Sequence, residues 1–131
     1  MFVTVGVLQT GHNGHVAFAS ASHPAILHFQ KARAAICEYP ALDLPLGVLP
    51  EQNFSDATIE CEAGDVLLIL TDGFTEVFDK RENELGLDAV KAGFLRCADL
   101  PLEEIFRRLR TLTIEFGPQQ DDQTMLLVRY L

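Results

Sequence analysis

The chain has 131 residues, a length that supports one domain and hardly two. Apolar residues make up 48% and charged residues 22%, a balance that allows a buried core and disfavours disorder, collagen and coiled coil. Ten Lys and Arg against 19 Asp and Glu give a net charge of -9. This charge disfavours binding to nucleic acid or to an anionic membrane through a general electrostatic field.

Targeting signals and cysteine usage limit the class further. No apolar run approaches the roughly 18 residues of a transmembrane helix, and no Lys or Arg precedes Lys31, so the start does not resemble a secretory signal peptide. The three cysteines lie far apart, without a C-x-x-C pair: Cys37, Cys61 and Cys97. This pattern fits the reduced thiols of a cytoplasmic protein better than a disulfide framework or a zinc site.

The first half of the chain is typical of β-strands. Two runs of this kind flank the Gly- and Asn-containing stretch 10–14, which predicts a hairpin. Three prolines and a glycine predict an irregular loop over 40–50. The run Val66–Leu70 is apolar without interruption, which indicates a strand covered on both faces. The predicted strands are Phe2–Leu8, His15–Ser20, Ala25–Phe29, Ala34–Tyr39 (paired with the preceding one), Ala57–Glu62 and Val66–Leu70.

The second half changes to a helical period. Apolar residues recur at helical spacing over 87–95 and, more clearly, over 102–116. Pro101 marks the start of the second helix and Gly117-Pro118 its end. A final strand is predicted over Thr124–Tyr130. The order β-β-β-β-β-β-α-α-β predicts an α+β domain with a largely antiparallel sheet.

Two acidic motifs border the two most apolar strands. The motif Thr71-Asp72-Gly73 directly follows the apolar run VLLIL, and the motif Asp121-Asp122-Gln123-Thr124 directly precedes the apolar run MLLV. If these strands are antiparallel neighbours, Asp72 meets Asp121 at one rim of the sheet. Like charges at ~4 Å repel by about 4 kcal/mol at an effective dielectric of 20, and a hard cation such as Mg²⁺ or Mn²⁺ relieves the repulsion. We expect Gly73 to let the backbone turn sharply away. The alternative is that the acids are only a turn and an exposed cap.

Other candidate sites are weaker. The charged stretch 79–84 lacks the alternating pattern of an EF-hand and is predicted to be a solvated loop. His23, before Pro24, is expected to hydrogen-bond a loop near the acidic rim. No G-x-S-x-G elbow, basic cysteine setting or phosphate-binding glycine loop is present, so nucleophilic catalysis lacks support.

The motifs together resemble one family. The run 63–76, AGDVLLILTDGFTE, resembles the "GD-apolar run-TDG-x-TE" motif of metal-dependent PPM-type serine/threonine phosphatases, in the bacterial stage II sporulation protein E-like branch. Five further segments keep the family's order across the whole chain. Met1–Thr4 resembles a mid-domain strand, Ser20–Pro24 the N-A-G-H-P turn, Pro45–Gly47 the P-L-G loop, Asn83–Gly86 the G-E-x-F-G segment and Asp121–Thr124 the terminal D-D-x-T.

The resemblance implies a fold, a cofactor and a chemistry. The fold is a phosphatase 2C-like, two-layer antiparallel β-sandwich flanked by helices, with two Mn²⁺ or Mg²⁺ ions at one end. The metals bind phosphate and activate a water that attacks phosphorus. Asp72 matches the metal ligand of TDG and Asp121 the ligand of D-D-x-T, while Asp122 is adjacent and is a third candidate ligand.

The sequence also departs from the family pattern. The family's G-D and G-D-V-x-G-H-G motifs, which supply the aspartate bridging both metals, precede the segment that Met1–Thr4 resembles, and neither is present here. Ser20 and Ser22 replace the Asn and Gly of the turn. We therefore expect residues 1–131 to form a single partial domain, truncated at the N-terminus, that holds at most one metal and shows weak or no activity alone. Exposed sheet surface is expected to drive homo-oligomerisation.

Three hypotheses follow. The first is the C-terminal portion of a metal-dependent phosphatase acting on phosphoserine or phosphothreonine of a bacterial regulatory protein, such as an anti-sigma-factor antagonist. The second is a catalytically inactive phosphatase-fold module that binds a signalling partner. The third is a generic α+β domain whose acids are only turns.

Overall fold

The computed structural model describes residues 1–131 and has the predicted order of elements. Single 3-10 turns lie at Lys31–Arg33 and Asp72–Phe74. Neither α-helix has the length and apolar character needed to cross a membrane. The strands are β1 (Val5–Thr10), β2 (His15–Ala21), β3 (Ile26–Gln30), β4 (Ala35–Tyr39), β5 (Ala57–Glu60), β6 (Val66–Leu70) and β7 (Met125–Arg129), and the helices are α1 (Gly86–Cys97) and α2 (Leu102–Phe116).

The first sheet has three strands in the order β1-β2-β5. Strands β1 and β2 form the predicted antiparallel hairpin, with Val5 opposite Ala21, and β5 adds to the other side of β2. The prediction that β1 starts at Phe2 was wrong. The Val3 N–H donates to the Leu46 carbonyl at 2.9 Å, and the Leu46 N–H donates back at 2.8 Å. This contact with the loop after β4 draws the first residues away from the ladder with β2.

The second sheet has four antiparallel strands in the order β4-β3-β6-β7. The predicted pairing of β3 with β4 is confirmed, with Ile26 opposite Tyr39. Strand β6 lies between β3 and β7, and all five of its residues are buried. The prediction that this apolar run is covered on both faces is therefore confirmed.

The two faces of β6 contribute to two different cores. Leu67 and Ile69 pack between the sheets with Val16, Phe18 and Ile59 of the first sheet. The alternate β6 residues face the helices, in a larger core. That core joins Leu27, Phe29, Val66, Leu68 and Leu70 of the sheet to Val90, Phe94, Ile105 and Leu109 of the helices. The result is a two-layer antiparallel β-sandwich with both helices packed on the four-stranded sheet, which confirms the predicted fold class.

The segment between β4 and β5 is irregular, as its prolines predict. Its backbone is fixed to the first sheet, because the Ser22 N–H donates to the Asp43 carbonyl at 2.8 Å. Several of its apolar side chains remain exposed, among them Leu44, Val48 and Phe54. This segment leaves an apolar surface beside β1.

Candidate functional site

Strand polarity brings the two acidic motifs to one rim of the four-stranded sheet. Strands β6 and β7 are antiparallel neighbours with Leu70 opposite Met125, as predicted. Beyond this pair, the Thr71 N–H donates to the Thr124 carbonyl at 3.0 Å, and the Thr124 N–H donates to Oγ1 of Thr71 at 3.0 Å. These contacts fasten the segment carrying Asp72 to the segment carrying the other two acids.

Gly73 lies in the 3-10 turn Asp72–Phe74, where the chain leaves β6, and its φ is outside the left-handed region. A close approach of the backbone explains why this residue is glycine. A Cβ added at Gly73 would lie 2.2 Å from the carbonyl oxygen of Asp122, a distance that no side chain permits. Nε2 of Gln123 also donates to the Gly73 carbonyl at 2.9 Å. The glycine therefore sets how closely the two acidic segments approach each other.

The three predicted ligands all face solvent. Asp72 begins the 3-10 turn, and its backbone carbonyl accepts N–H bonds from Thr75 and Glu76 at 2.9 and 2.8 Å. Oδ1 of Asp121 accepts the backbone N–H of Asp122 at 2.7 Å. The carboxylates of Asp72, Asp121 and Asp122 do not form a group of three ligating side chains close enough to share one ion. The structure places the acids on one rim, and their role as metal ligands stays a prediction.

Two surface cavities adjoin this rim. One of about 450 Å³ is bordered by Asp121, Asp122 and two glutamines. A second, of about 620 Å³, shares one of these glutamines and extends toward the loop after the 3-10 turn. The lining of the second cavity is Phe78, Asp79, Lys80, Glu82, Pro118 and Gln120. Together the cavities provide a surface on which a polar ligand or protein segment can lie.

The loop over 79–84 is organised by its own aspartate. The Asp79 carboxylate accepts the backbone N–H groups of Arg81 and Asn83 at 2.8 and 2.9 Å and the Asn83 side-chain amide at 3.0 Å. The Asn83 side-chain bond is the largest cause of a lowered Asp79 pKa. All of these bonds of the Asp79 carboxylate are made within the loop, which fits the predicted solvated loop.

The whole chain, residues 1–131, matches the family described as Stage II sporulation protein E (SpoIIE). The chain belongs to the SpoIIE family. The resemblance to the stage II sporulation protein E-like branch, which the motifs indicated, is thereby confirmed. No curated protein sequence matches the chain.

Solved structures share the fold. The SiaA-PP2C domain of Pseudomonas aeruginosa is 20% identical with a TM-score of 0.75, over 89% of this chain and 46% of that one. The RsbU and RsbW domains of a Mycobacterium tuberculosis protein are 21% identical with a TM-score of 0.78, over 96% and 36%. The phosphatase domain of Bacillus subtilis SpoIIE, Mn presoaked, is 20% identical with a TM-score of 0.66, over 96% and 55%. The chain thus spans about half or less of the structures it matches.

One group of side chains was missed by sequence reasoning. His28 of β3, Cys61 after β5 and Asp65 before β6 are buried together, with ligating atoms all within 4.8 Å of one another. Nε2 of His28 lies 2.8 Å from Oδ2 of Asp65. Spacing gave no signal, because His28 is far from the other two residues along the chain and only the sheet topology joins them.

Two pKa values in this group are shifted in opposite directions. Burial alone would raise the pKa of Asp65, but backbone N–H bonds from Glu62 and Lys31 and the His28 side chain hold it below its usual value. Burial raises the pKa of the Cys61 thiol to about 11, and the Asp65 and Glu60 carboxylates add to the rise. In the metal-free protein Asp65 is therefore ionised and Cys61 is a neutral thiol, which disfavours a nucleophilic cysteine.

Proposed function

We propose that this chain is the C-terminal part of a metal-dependent protein serine/threonine phosphatase with Asp72 and Asp121 as metal ligands. The observation that carries the proposal is the junction of the TDG and D-D-x-T motifs at one rim in a chain of the SpoIIE family. Asp122 would help to position the site, because its carbonyl lies against Gly73. Its carboxylate, next to Asp121, is a third candidate metal ligand.

The donors on the rim suit Mn²⁺ or Mg²⁺. All are carboxylate oxygens on exposed side chains, which hard divalent cations prefer. The Mn presoaking of the Bacillus subtilis SpoIIE phosphatase domain supports the same type of metal. When bound, such a metal polarises a phosphoryl oxygen and supplies hydroxide from a water at neutral pH. Asp72 and Asp121 supply at most two of the carboxylates of a complete family site, so we expect one weakly held ion.

The chain's own residues would hold the ligands in position. The paired hydrogen bonds between Thr71 and Thr124 fix the ends of β6 and β7, so that Asp72 and Asp121 keep a constant offset. The hydrogen bond from the Gln123 side chain to the Gly73 carbonyl joins the same two segments at a second point. Preorganisation of this kind lets carboxylates tolerate their mutual repulsion until a cation arrives.

The proposed substrate is a phosphoserine or phosphothreonine of a bacterial regulatory protein, such as an anti-sigma-factor antagonist. The RsbU and SiaA names of the structural neighbours support a signalling partner of this kind. Lys80, the one cation lining the larger cavity beside the rim, offers a contact for phosphate on an otherwise acidic chain. The three free thiols support a reducing compartment such as the cytoplasm.

A second candidate function is a binding module without turnover. The observation that favours it is that the rim acids form no group of three ligating side chains. In this case the same cavities would bind a signalling partner, and hydrolysis would be absent.

Hydrolysis of p-nitrophenyl phosphate with Mn²⁺ tests the enzyme proposal. We expect weak, Mn²⁺-dependent activity from the chain and a loss of at least roughly tenfold in both Asp72→Asn and Asp121→Asn, because even outer-shell partners of metal ligands contribute 10–100-fold. Asp99→Asn is the matched control, since Asp99 is an exposed carboxylate between Ala98 and Leu100. The carbonyls of these two neighbours accept bonds from Arg129, which pairs with Val66 at the end of β6 opposite to the rim, so the variant should keep full activity.

Binding of Mn²⁺ separates the two candidates. A chain that neither hydrolyses the substrate, nor binds Mn²⁺, nor gains thermal stability from it would contradict the enzyme proposal for residues 1–131. Binding of a phosphorylated regulator by such an inactive chain would support the binding module instead.

We further propose that the chain forms a homo-oligomer through its exposed sheet surface. The surface consists of the first three residues, one residue of the edge strand β1, and the loop residue bonded to Val3. These are Met1, Phe2, Val3, Val7 and Leu46, and we call them the β1-edge surface.

A further inference from the structure

The buried group of His28, Cys61 and Asp65 spans the two sheets. Cys61 follows β5 of the first sheet, whereas His28 lies in β3 of the second and Asp65 directly precedes β6. The three residues are 0%, 8% and 4% exposed. Nitrogen, sulfur and carboxylate donors thus lie together in the interior, where the other buried polar residues are Ser20 and Thr113.

The donor types select a borderline-soft cation. Zn²⁺ binds imidazole nitrogen, thiolate and carboxylate oxygen at about 2.0–2.3 Å, which places tetrahedral ligand atoms roughly 3.3–3.8 Å apart. The atoms here lie within 4.8 Å of one another, so a closure of about 1 Å completes the site. Mg²⁺ and Mn²⁺ prefer oxygen ligands and would not be held by a thiolate.

Hydrogen bonds already orient two of the ligands. Oδ1 of Asp65 accepts the Lys31 N–H at 2.9 Å, and Oδ2 accepts the Glu62 N–H at 3.0 Å. Nδ1 of His28 lies 3.4 Å from Oη of Tyr39, and the two rings stack. Outer partners of this type fix the rotamer and tautomer of metal ligands. The Cys61 thiol takes part in none of these bonds and is free to turn toward a cation.

We propose that His28, Cys61 and Asp65 form a Zn²⁺ site, with three protein ligands and one water, that fastens the two sheets together. Zn²⁺ replaces the proton of the Cys61 thiol and bonds to the resulting thiolate, with that proton released to water. Nε2 of His28 bonds to the metal in place of its hydrogen bond with Asp65. The N–H of the neutral ring then lies at Nδ1 and donates a hydrogen bond to Oη of Tyr39. One dication with one thiolate and one carboxylate is neutral overall, so the complex can be buried without an unpaired charge.

The site has an access route and is separate from the acidic rim. Asp65 borders a surface cavity of about 220 Å³ that is also lined by Glu60, Glu62 and Arg33, so the route to the group is polar. Strand β6 separates Asp65 from Asp72, and its length places the two sites roughly 15–20 Å apart. Water entering through this cavity supplies the fourth ligand.

Cobalt binding tests the proposal on the intact chain. Co²⁺ substitutes for Zn²⁺, and a cobalt–thiolate bond gives a charge-transfer absorption that all-oxygen ligation cannot give. We expect the metal-free protein to develop this band to saturation at an equimolar amount of Co²⁺, to lose it on addition of Zn²⁺, and to melt at a higher temperature with Zn²⁺ than without it. Absence of the band from the unmutated protein would overturn the proposal and leave the group as a hydrogen-bonded network only.

Variants test whether Cys61 is the sulfur ligand and whether the metal binds at the buried group and not at the acidic rim. Cys61→Ser should abolish the band, and Cys37→Ser, in a half-buried cysteine of β4, should keep it. Because Cys61→Ser risks poor folding, the double variant Cys37→Ser/Cys97→Ala, which leaves Cys61 as the only thiol, should also keep the band. Asp72→Asn should keep it too, since the rim offers no sulfur. A band that survives in folded Cys61→Ser, or disappears from the folded double variant, would show that Cys61 is not the ligand.

Discussion

Ser22 carries backbone strain at the position where the family turn has glycine. Its φ is 52°, in the left-handed region that costs an L-residue roughly 1–2 kcal/mol. The conformation is held because the Ser22 N–H donates to the Asp43 carbonyl at 2.8 Å and the residue bridges to Val5. Serine in place of glycine therefore keeps the conformation of the turn and lowers the free energy of unfolding of the chain.

Ser22→Gly should stabilise the chain. Glycine removes the left-handed penalty but gives the unfolded chain more freedom, so we expect a net gain of about 0.5–1 kcal/mol in the free energy of unfolding. Urea denaturation followed by circular dichroism measures it. Ala19→Gly, in the regular part of β2, is the matched control and should lose about 0.5–1 kcal/mol. A loss of stability in Ser22→Gly as large as in the control would contradict the strain argument.

Individual residues of the rim could be predicted, and those of the buried group could not. Asp72 and Asp121 sit at the ends of two apolar runs, and strand polarity alone brings such ends together. The need for Gly73 follows from the carbonyl of Asp122, which is distant in sequence, so its physical reason required the structure. His28 and Cys61 carry no periodic or spacing signal, and only the stacking of two sheets places them in contact.

At the scale of elements, the helices complete the larger core through a few aromatic side chains. Phe94 of α1 is 0% exposed and packs edge-to-face on Phe29 of β3, with ring centroids 6.4 Å apart. Phe106 of α2 is 41% exposed. The same residue type thus occurs on the covered and on the uncovered side of the helical layer, which permits a matched comparison.

Phe94→Ala should destabilise the chain by about 3–5 kcal/mol, because the substitution removes buried apolar contact and leaves a cavity between α1 and the sheet. Phe106→Ala should change the free energy of unfolding by less than about 1 kcal/mol, since surface substitutions away from special features have small effects. Denaturant unfolding of both variants measures the difference. Equal losses in the two variants would show that α1 is not packed as described.

The strands and helices could largely be predicted from the periodicity of the apolar residues and from the prolines and glycines between them. The apolar run of β6 and the prolines and glycines that bound α2 gave correct strands and helices. The start of β1 was misplaced, because the pairing of Val3 with Leu46 is a long-range contact that no local pattern encodes. The division of strands between two sheets was equally hidden, since β5 joins β2 while β6, the next strand, joins β3.

At the scale of the whole molecule, apolar exposure is concentrated beside an open sheet edge. Strand β1 pairs on one side only, so its other side presents free N–H and C=O groups. The β1-edge surface adjoins this edge, and Val7 within it is 56% exposed. An apolar surface beside an unpaired edge favours pairing with another chain. A second copy, related by a two-fold axis, presents the same edge and the same apolar side chains.

We expect sedimentation at micromolar concentration to give twice the chain mass of 14.5 kDa. Val7→Lys should shift the chain to monomer, because a lysine on an edge strand blocks strand pairing and cannot be buried against apolar side chains. Ile114→Lys is the matched control, since Ile114 is an exposed apolar residue of α2 on the other side of the molecule, and it should remain dimeric. A monomer in the unmutated chain would contradict self-association, and a dimer that survives Val7→Lys but not Ile114→Lys would move the interface from the β1 edge to the helices.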